Sequence, residues 1–328
     1  MVRFSWTIVI AAEILAVTEL WRFKFDETYL RDVGYPDSSL GWGAGQDTKP
    51  AVWVSVFLIF ILLVNAIPVL WYGRLEYIFG ATKMLFIVGL IMFNLILNAR
   101  QIVPHATRFW TYNEPYSFTS QNYTLNAAGD VIPGSPGRFL GMWSGMTTTI
   151  FSFIGFETVA ITAAENRDLR RHETVKLATR KISLRIILLY TLCVFTVGLN
   201  VPYTDPNLRD LTVNSIKSGQ NSAFILAAVR NHIRFWPNFF NGIFIFSATT
   251  SGISSLYISS RVLHALASVP EAWPAWGFAE SFRLKLRRTI HGVPLAAVFV
   301  SWCFGCLAFL SSKPSPAEVS KHHSLSGW

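Results

Sequence analysis

Blocks of almost unbroken apolar residues recur along this chain, each about 20 residues long, the length that crosses a bilayer as a helix. They run at about Phe4–Phe23, Ala51–Trp71, Ile78–Asn98, Met142–Ala163, Ile186–Val201, Trp236–Ser260 and Val293–Ser311. Inside a bilayer no water is present to pair with backbone N–H and C=O groups. A crossing segment must therefore close its hydrogen bonds within itself, as a helix does. The pattern predicts an all-α integral membrane protein of about seven transmembrane helices over residues 1–311, followed by a polar tail, 312–328, that we expect to be disordered. A shorter apolar stretch, Ser222 through Ile233, reads either as a helix lying at the outer surface or as the start of a long tilted span.

The polar segments between the blocks set the orientation. With the N-terminus inside, 1–3, 72–77, 164–185 and 261–292 fall on the cytoplasmic side, and their Lys/Arg density is about twice that of the outer segments. Arg167, Arg170, Arg171, Lys176, Arg180, Lys181 and Arg185 form the clearest basic run. The net charge of +9 is thus the signature of cytoplasmic loops, and nucleic-acid binding is not expected. Composition agrees: 14 % of residues are charged, against about a quarter in a soluble domain, and mean hydropathy is positive. The 12 Trp and 26 Phe suit helices that meet lipid and headgroups. Cys193, Cys303 and Cys306 all lie in apolar blocks, so no disulfide framework is expected. The chain passes from Met1-Val2-Arg3 straight into an apolar run with no small-residue cleavage pattern, and no cleavable signal peptide is expected. Asn122 opens a glycosylation sequon, Asn122-Tyr123-Thr124, in a loop that this orientation puts outside.

Ionisable residues inside spans are costly and point to function or to a specific partner. Four stand out: Glu13, Glu19, Lys83 and Glu157. Glu157 follows Gly155 in a stretch rich in Ser and Thr that weakens a helix. Two readings stand: a helix broken near mid-membrane, offering its backbone to a solute, or a continuous helix whose Gly155 allows close packing. Lys83, about one turn into its span, reads as a coupling cation or proton carrier, or as a lysine that snorkels to the inner interface. Glu13 is expected to bond between helices and Glu19 to lie near the outer interface. A run of hydroxyls, Ser247, Thr249, Thr250, Ser251, Ser254 and Ser255, lines a solute path or bonds between helices. No metal-ligand cluster, nucleophile elbow or phosphate loop is seen, so neither enzyme activity nor a cofactor or metal is expected.

Several motifs, in order along residues 4–311, resemble one family. Phe151-Ser152-Phe153-Ile154-Gly155-Phe156-Glu157-Thr158-Val159, running into Thr162-Ala163-Ala164-Glu165-Asn166, resembles the sixth helix of amino-acid permeases. Val201-Pro202-Tyr203-Thr204-Asp205-Pro206 is similar to the segment after their seventh helix, and Ser254 through Leu263 to the end of their eighth. Trp71 through Tyr77, with Lys83 beyond, resembles their fourth-to-fifth link. The closest flavour is that of fungal permeases of the amino acid-polyamine-organocation superfamily. The resemblance implies a partial five-plus-five inverted-repeat fold with the seven spans as helices three to nine. It implies proton-coupled uptake of an amino acid across the plasma membrane. By it, the backbone of Ser152, Phe153, Ile154 and Gly155 holds the substrate amino group, Phe153 and Phe156 line the pocket or gate, and Glu157 lies beside it. Lys83 matches a lysine that takes the place of a sodium ion and couples protons.

The chain departs from the family pattern in two ways. Helices one, two and ten onward have no counterpart in it, so we expect a truncated chain that does not transport alone. Ile253 also stands where many relatives have Asn. The alternative function is a permease-like amino-acid sensor or regulatory subunit that does not transport. A seven-helix receptor is disfavoured by the charge bias, which puts the N-terminus inside.

Overall fold

Proline and glycine decide where this apolar chain turns. In the computed structural model, which describes residues 2–100, 109, 132–150, 186–202, 205, 208, 222–274 and 276–312, α1 covers Val2–Trp21 and α2 Glu27–Val33. A single turn, α3, covers Gly43–Gln46 and α4 covers Pro50–Asn65. Helix α5 runs over Val69–Arg100 and α6 over Gly134–Ile150. A π-turn at Ile186–Tyr190 leads into α7, Thr191–Gly198, and α8 covers Ala223–Arg230. Then come α9, Phe235–Ala267, α10, Gly277–Leu286, and α11, Leu295–Gly305, which tightens into a 3-10 turn over Cys306–Ser312. Among the described residues, β pairing is confined to two isolated bridges, Lys24 with Gly41 and Ile290 with Val293.

The turn between α4 and α5 corrects the expected boundary. The sequence reading put a loop at 72–77, but those residues are helical and the chain turns at 66–68 instead. Pro68 is the cause. It has no N–H to donate and its ring clashes with the preceding turn, so α4 stops short of it. Nothing in Tyr72–Tyr77 breaks a helix as strongly, and α5 runs through. Helices α5 and α9 are long and apolar enough to cross a membrane; α4 and the segments Ile187–Gly198 and Leu295–Leu310 are apolar but shorter.

The chain divides into two compact units. The first comprises Met1–Arg22, Trp42–Gly80 and Gly242–Trp328. Its core joins Ile10 and Ile14 of α1, Val54, Leu58 and Ile61 of α4, Ile253 and Leu256 of α9, and Val298 of α11, all buried. The spacings i, i+4 and i, i+3 put each set on one helix face. In lipid such faces gain little from leaving the solvent, so close contact and interhelical bonds must hold them. Two glycines allow the contact. A Cβ at Gly252 would lie 2.8 Å from Ile61 Cδ1 and 3.7 Å from Glu13 Cβ, and one at Gly305 would lie 2.8 Å from Leu58 Cδ2. The bonds follow: Asn65 Nδ2 donates to Ile61 O at 3.0 Å and to Ile253 O at 3.2 Å, and Trp302 Nε1 donates to Leu58 O at 2.9 Å.

The second unit comprises Phe23–Gly41 and Ala81–Asn241. Phe93 of α5 packs against Trp236 and Phe240 of α9 with ring centroids 4.6 and 4.9 Å apart. Asn200, just past α7, donates through Nδ2 to Asn94 O at 2.9 Å. Helix α8 is a separate element, ended by Asn231 and by His232 in the left-handed region at φ 56°. This excludes the reading of 222–233 as part of one long span. Its residues Ile225–Val229 are all buried.

Candidate functional site

The polar stripe of α9 and the carboxylates nearest it make the candidate site, which lies in the first unit. Ser251 and Ser254 are three residues apart and so share a helix face. Ser251 Oγ donates to Glu13 Oε1 at 2.7 Å, a short charge-assisted geometry. Ser254 Oγ lies 3.1 Å from Thr250 O and 3.4 Å from Glu76 Oε1. Two carboxylates, from α1 and α5, thus meet successive hydroxyls of α9. Of the two readings offered for the hydroxyl run, bonding between helices is seen at Ser251. Thr250, Ser259 and Ser260 bond back to carbonyls of their own helix, whereas Ser251 bonds between helices. Glu13 does what was expected of it and takes a bond from a neighbouring helix. The Thr249 hydroxyl is buried with no hydrogen-bond partner among the described residues.

Beside Ser254 a small cleft is lined by Val64, Tyr72, Leu75, Glu76, Phe79 and Ile253. Tyr72 stacks on Tyr257 with centroids 4.3 Å apart and planes 8° from parallel. The Arg261 guanidinium lies 4.7 Å over the Tyr257 ring and donates to Gly292 O at 2.9 Å. The order Tyr72, Tyr257, Arg261 gives this end of the unit a stacked aromatic pair closed by a cation. Ile253 places an apolar side chain in the wall of the cleft.

Lys83 lies on α5 and is half-buried. The helix starts at Val69, so Lys83 is about four turns along it. Glu19 stands near the end of α1, 3.9 Å from Arg22. Ser152, Phe153, Ile154, Gly155, Phe156, Glu157 and the sequon residue Asn122 lie outside the described residues.

A second polar cluster, in the second unit, escaped the sequence reading. Asp205, fully buried, takes a bond from Arg230 Nη1 at 2.7 Å and one from the Tyr29 hydroxyl at 3.0 Å. Burial, and then the Asp205 carboxylate, push the Tyr29 phenol well above its usual range. The cluster joins α2, the segment after α7, and α8. Tyr29 and Asp205 are 176 residues apart, and no local pattern could have paired them. Glu76, Asn65 and Asn94 were also passed over, although amides and carboxylates in or beside apolar spans are the signal that singled out Glu13.

The profile of the family described as amino acid permease matches residues 1–324. A probable lysine/arginine permease of Candida albicans is 28 % identical over 312 residues, covering 94 % of this chain and 46 % of the relative. The lysine-specific permease of Saccharomyces cerevisiae is 28 % identical over 312 residues, covering 94 % of this chain and 44 % of the relative. The proline-specific permease of Emericella nidulans is 30 % identical over 272 residues, covering 82 % and 46 %. The chain therefore spans about half the length of the curated relatives it matches. No solved structure matches it. These relatives are permeases, not enzymes. With a match along nearly its whole length and hydroxyls and carboxylates gathered within an apolar helical unit, the chain belongs to the amino acid permease family.

Proposed function

We propose that this chain forms part of a transporter that carries an amino acid across the plasma membrane together with a proton, by alternating access. The observation that carries the reading is the family match over residues 1–324. The seven apolar blocks then correspond to seven spans of a partial five-plus-five inverted repeat. The relatives' names give lysine, arginine and proline as the amino acids to try first.

Within this reading the backbone of Ser152, Phe153, Ile154 and Gly155 receives the substrate amino group. Phe153 and Phe156 wall the pocket, and Glu157 stands beside it. Lys83 is the coupling cation. A lysine on an apolar helix prefers its neutral form when desolvated and its charged form beside a carboxylate, so it can exchange a proton as its surroundings change.

The test is uptake of radiolabelled lysine, arginine and proline by cells that lack their own permeases and express the protein carrying this sequence. Uptake that is faster at acidic external pH and abolished by a protonophore is the expected result. Uptake indifferent to both overturns proton coupling. No uptake by a longer protein that contains this sequence overturns transport, whereas residues 1–328 alone are expected to give none.

A further inference from the structure

Between α9 and α11 the chain runs through 268–294, which the charge asymmetry puts on the cytoplasmic side. This connector is tied to the end of α9. Trp273 Nε1 donates to Leu266 O at 3.0 Å, Arg283 Nη1 to Ala267 O at 3.5 Å, and His264 Nδ1 lies 3.0 Å from Leu286 O. The first two bonds reach carbonyls in the last turn of α9, where a helix runs out of its own donors. Beneath them Leu286 and Phe282 pack on Leu263, Ala267 and Ala297. Helix α10 is thereby held by one face, with Ala279, Arg283 and Leu286 buried.

The remaining surface has different chemistry. Phe278 is 83 % exposed and Trp276, just before the helix, 73 %. Lys285, Arg287 and Arg288 are exposed as well. Phe278 and Lys285 are two turns apart and so lie on the same side of α10. The acidic residues of the connector are Glu271, on the turn before α10, and Glu280, which pairs with Arg283 at 3.9 Å. Large rings beside several cations, on an element that caps a membrane-spanning helix, make the composition of a surface at headgroup depth.

We infer that α10 and the residues flanking it bind anionic phospholipid headgroups of the inner leaflet. Lys285, Arg287 and Arg288 meet the phosphate and carboxylate oxygens, and Trp276 and Phe278 enter the boundary between headgroups and acyl chains. Charge complementarity selects this occupant: three exposed cations face a leaflet whose surface is negative, and the rings supply apolar area that a soluble anion would leave uncovered. The inference rests on the membrane reading and the orientation given above.

The test uses the full chain in nanodiscs of phosphatidylcholine with a minor fraction of phosphatidylserine. Photoactivatable analogues of each lipid are added in turn, and the labelled peptides are mapped by mass spectrometry. Phosphatidylserine should label 276–288 about tenfold more efficiently than phosphatidylcholine, with the preference lost at high salt. It should also be lost in the triple variant Lys285→Ala/Arg287→Ala/Arg288→Ala and kept in Arg287→Lys/Arg288→Lys. A preference that survives the triple alanine variant, or equal labelling by the two lipids in the unaltered chain, overturns the inference. Labelling of α5 and α9 by the phosphatidylcholine analogue separates the two failures. Where it is present without a serine-lipid preference at 276–288, only the lipid surface falls; where it is absent too, the membrane reading falls with it.

Discussion

At the scale of single residues, two positions in the first unit test how it is held. Gly252 faces Ile61 and Glu13 at distances that leave no room for a branched side chain. Gly252→Leu should cost about 1–3 kcal/mol through overpacking, and Gly252→Ala less, because the atom it meets is the far end of a flexible isoleucine. Thermal unfolding in detergent measures both, and equal melting temperatures for the Leu variant and the unaltered chain would refute the close contact. Asn65 makes a contrasting case. Asn65→Leu removes two bonds but keeps the branched outline, and interhelical hydrogen bonds in membrane proteins are modest, so a loss of about 0.5–1.5 kcal/mol is expected. A larger loss would mean that the amide does more than clip α4 to α9. Glu13 was legible in the sequence because a carboxylate in an apolar run is rare. Its partner Ser251 was not, because hydrogen bonds across 238 positions carry no local signature.

At the scale of elements, the Tyr29–Asp205–Arg230 cluster joins α2 to α8 in the second unit. Arg230→Met takes the cation from a buried carboxylate and should cost roughly 2–4 kcal/mol. Tyr29 adds a dependence on pH. Its phenol is held neutral above its usual range, so the folded state keeps this proton more tightly than the unfolded chain does. That contribution is fully present below about pH 10 and is lost as pH rises further. Tyr29→Phe should therefore flatten the alkaline end of a stability–pH profile, and a profile unchanged there would contradict the assignment. Element positions were read well where an apolar block was bounded by a strong breaker. They were read poorly at 66–77, where the polar pattern of Tyr72–Tyr77 points to a loop. Arg74 and Glu76 are polar but compatible with helix, whereas Pro68 is not, and the breaker decided the turn. Helix α8 was visible as an apolar stretch, but its separation from α9 depends on a left-handed His232 that no periodicity reveals.

At the scale of the whole molecule, the family was legible because its motifs are local and ordered along the chain, and the profile match agrees with them. The gathering of Ser251, Ser254, Glu13 and Glu76 was not, since it needs α1, α5 and α9 side by side. The proposed coupling role of Lys83 is tested on transport itself: Lys83→Gln should flatten the pH dependence of uptake by about tenfold or more at the acidic end, whereas Lys83→Arg, still charged, should keep substrate binding but release its proton poorly. Normal pH dependence in Lys83→Gln would return the residue to a snorkelling role. One consequence of the glycine contacts reaches beyond stability. Every single-nucleotide change in a glycine codon that alters the amino acid adds a Cβ. At positions 252 and 305 each such change presses on the far end of Ile61 or Leu58, so alanine is the neighbour these sites accept most readily and a larger residue calls for a smaller one at 61 or 58.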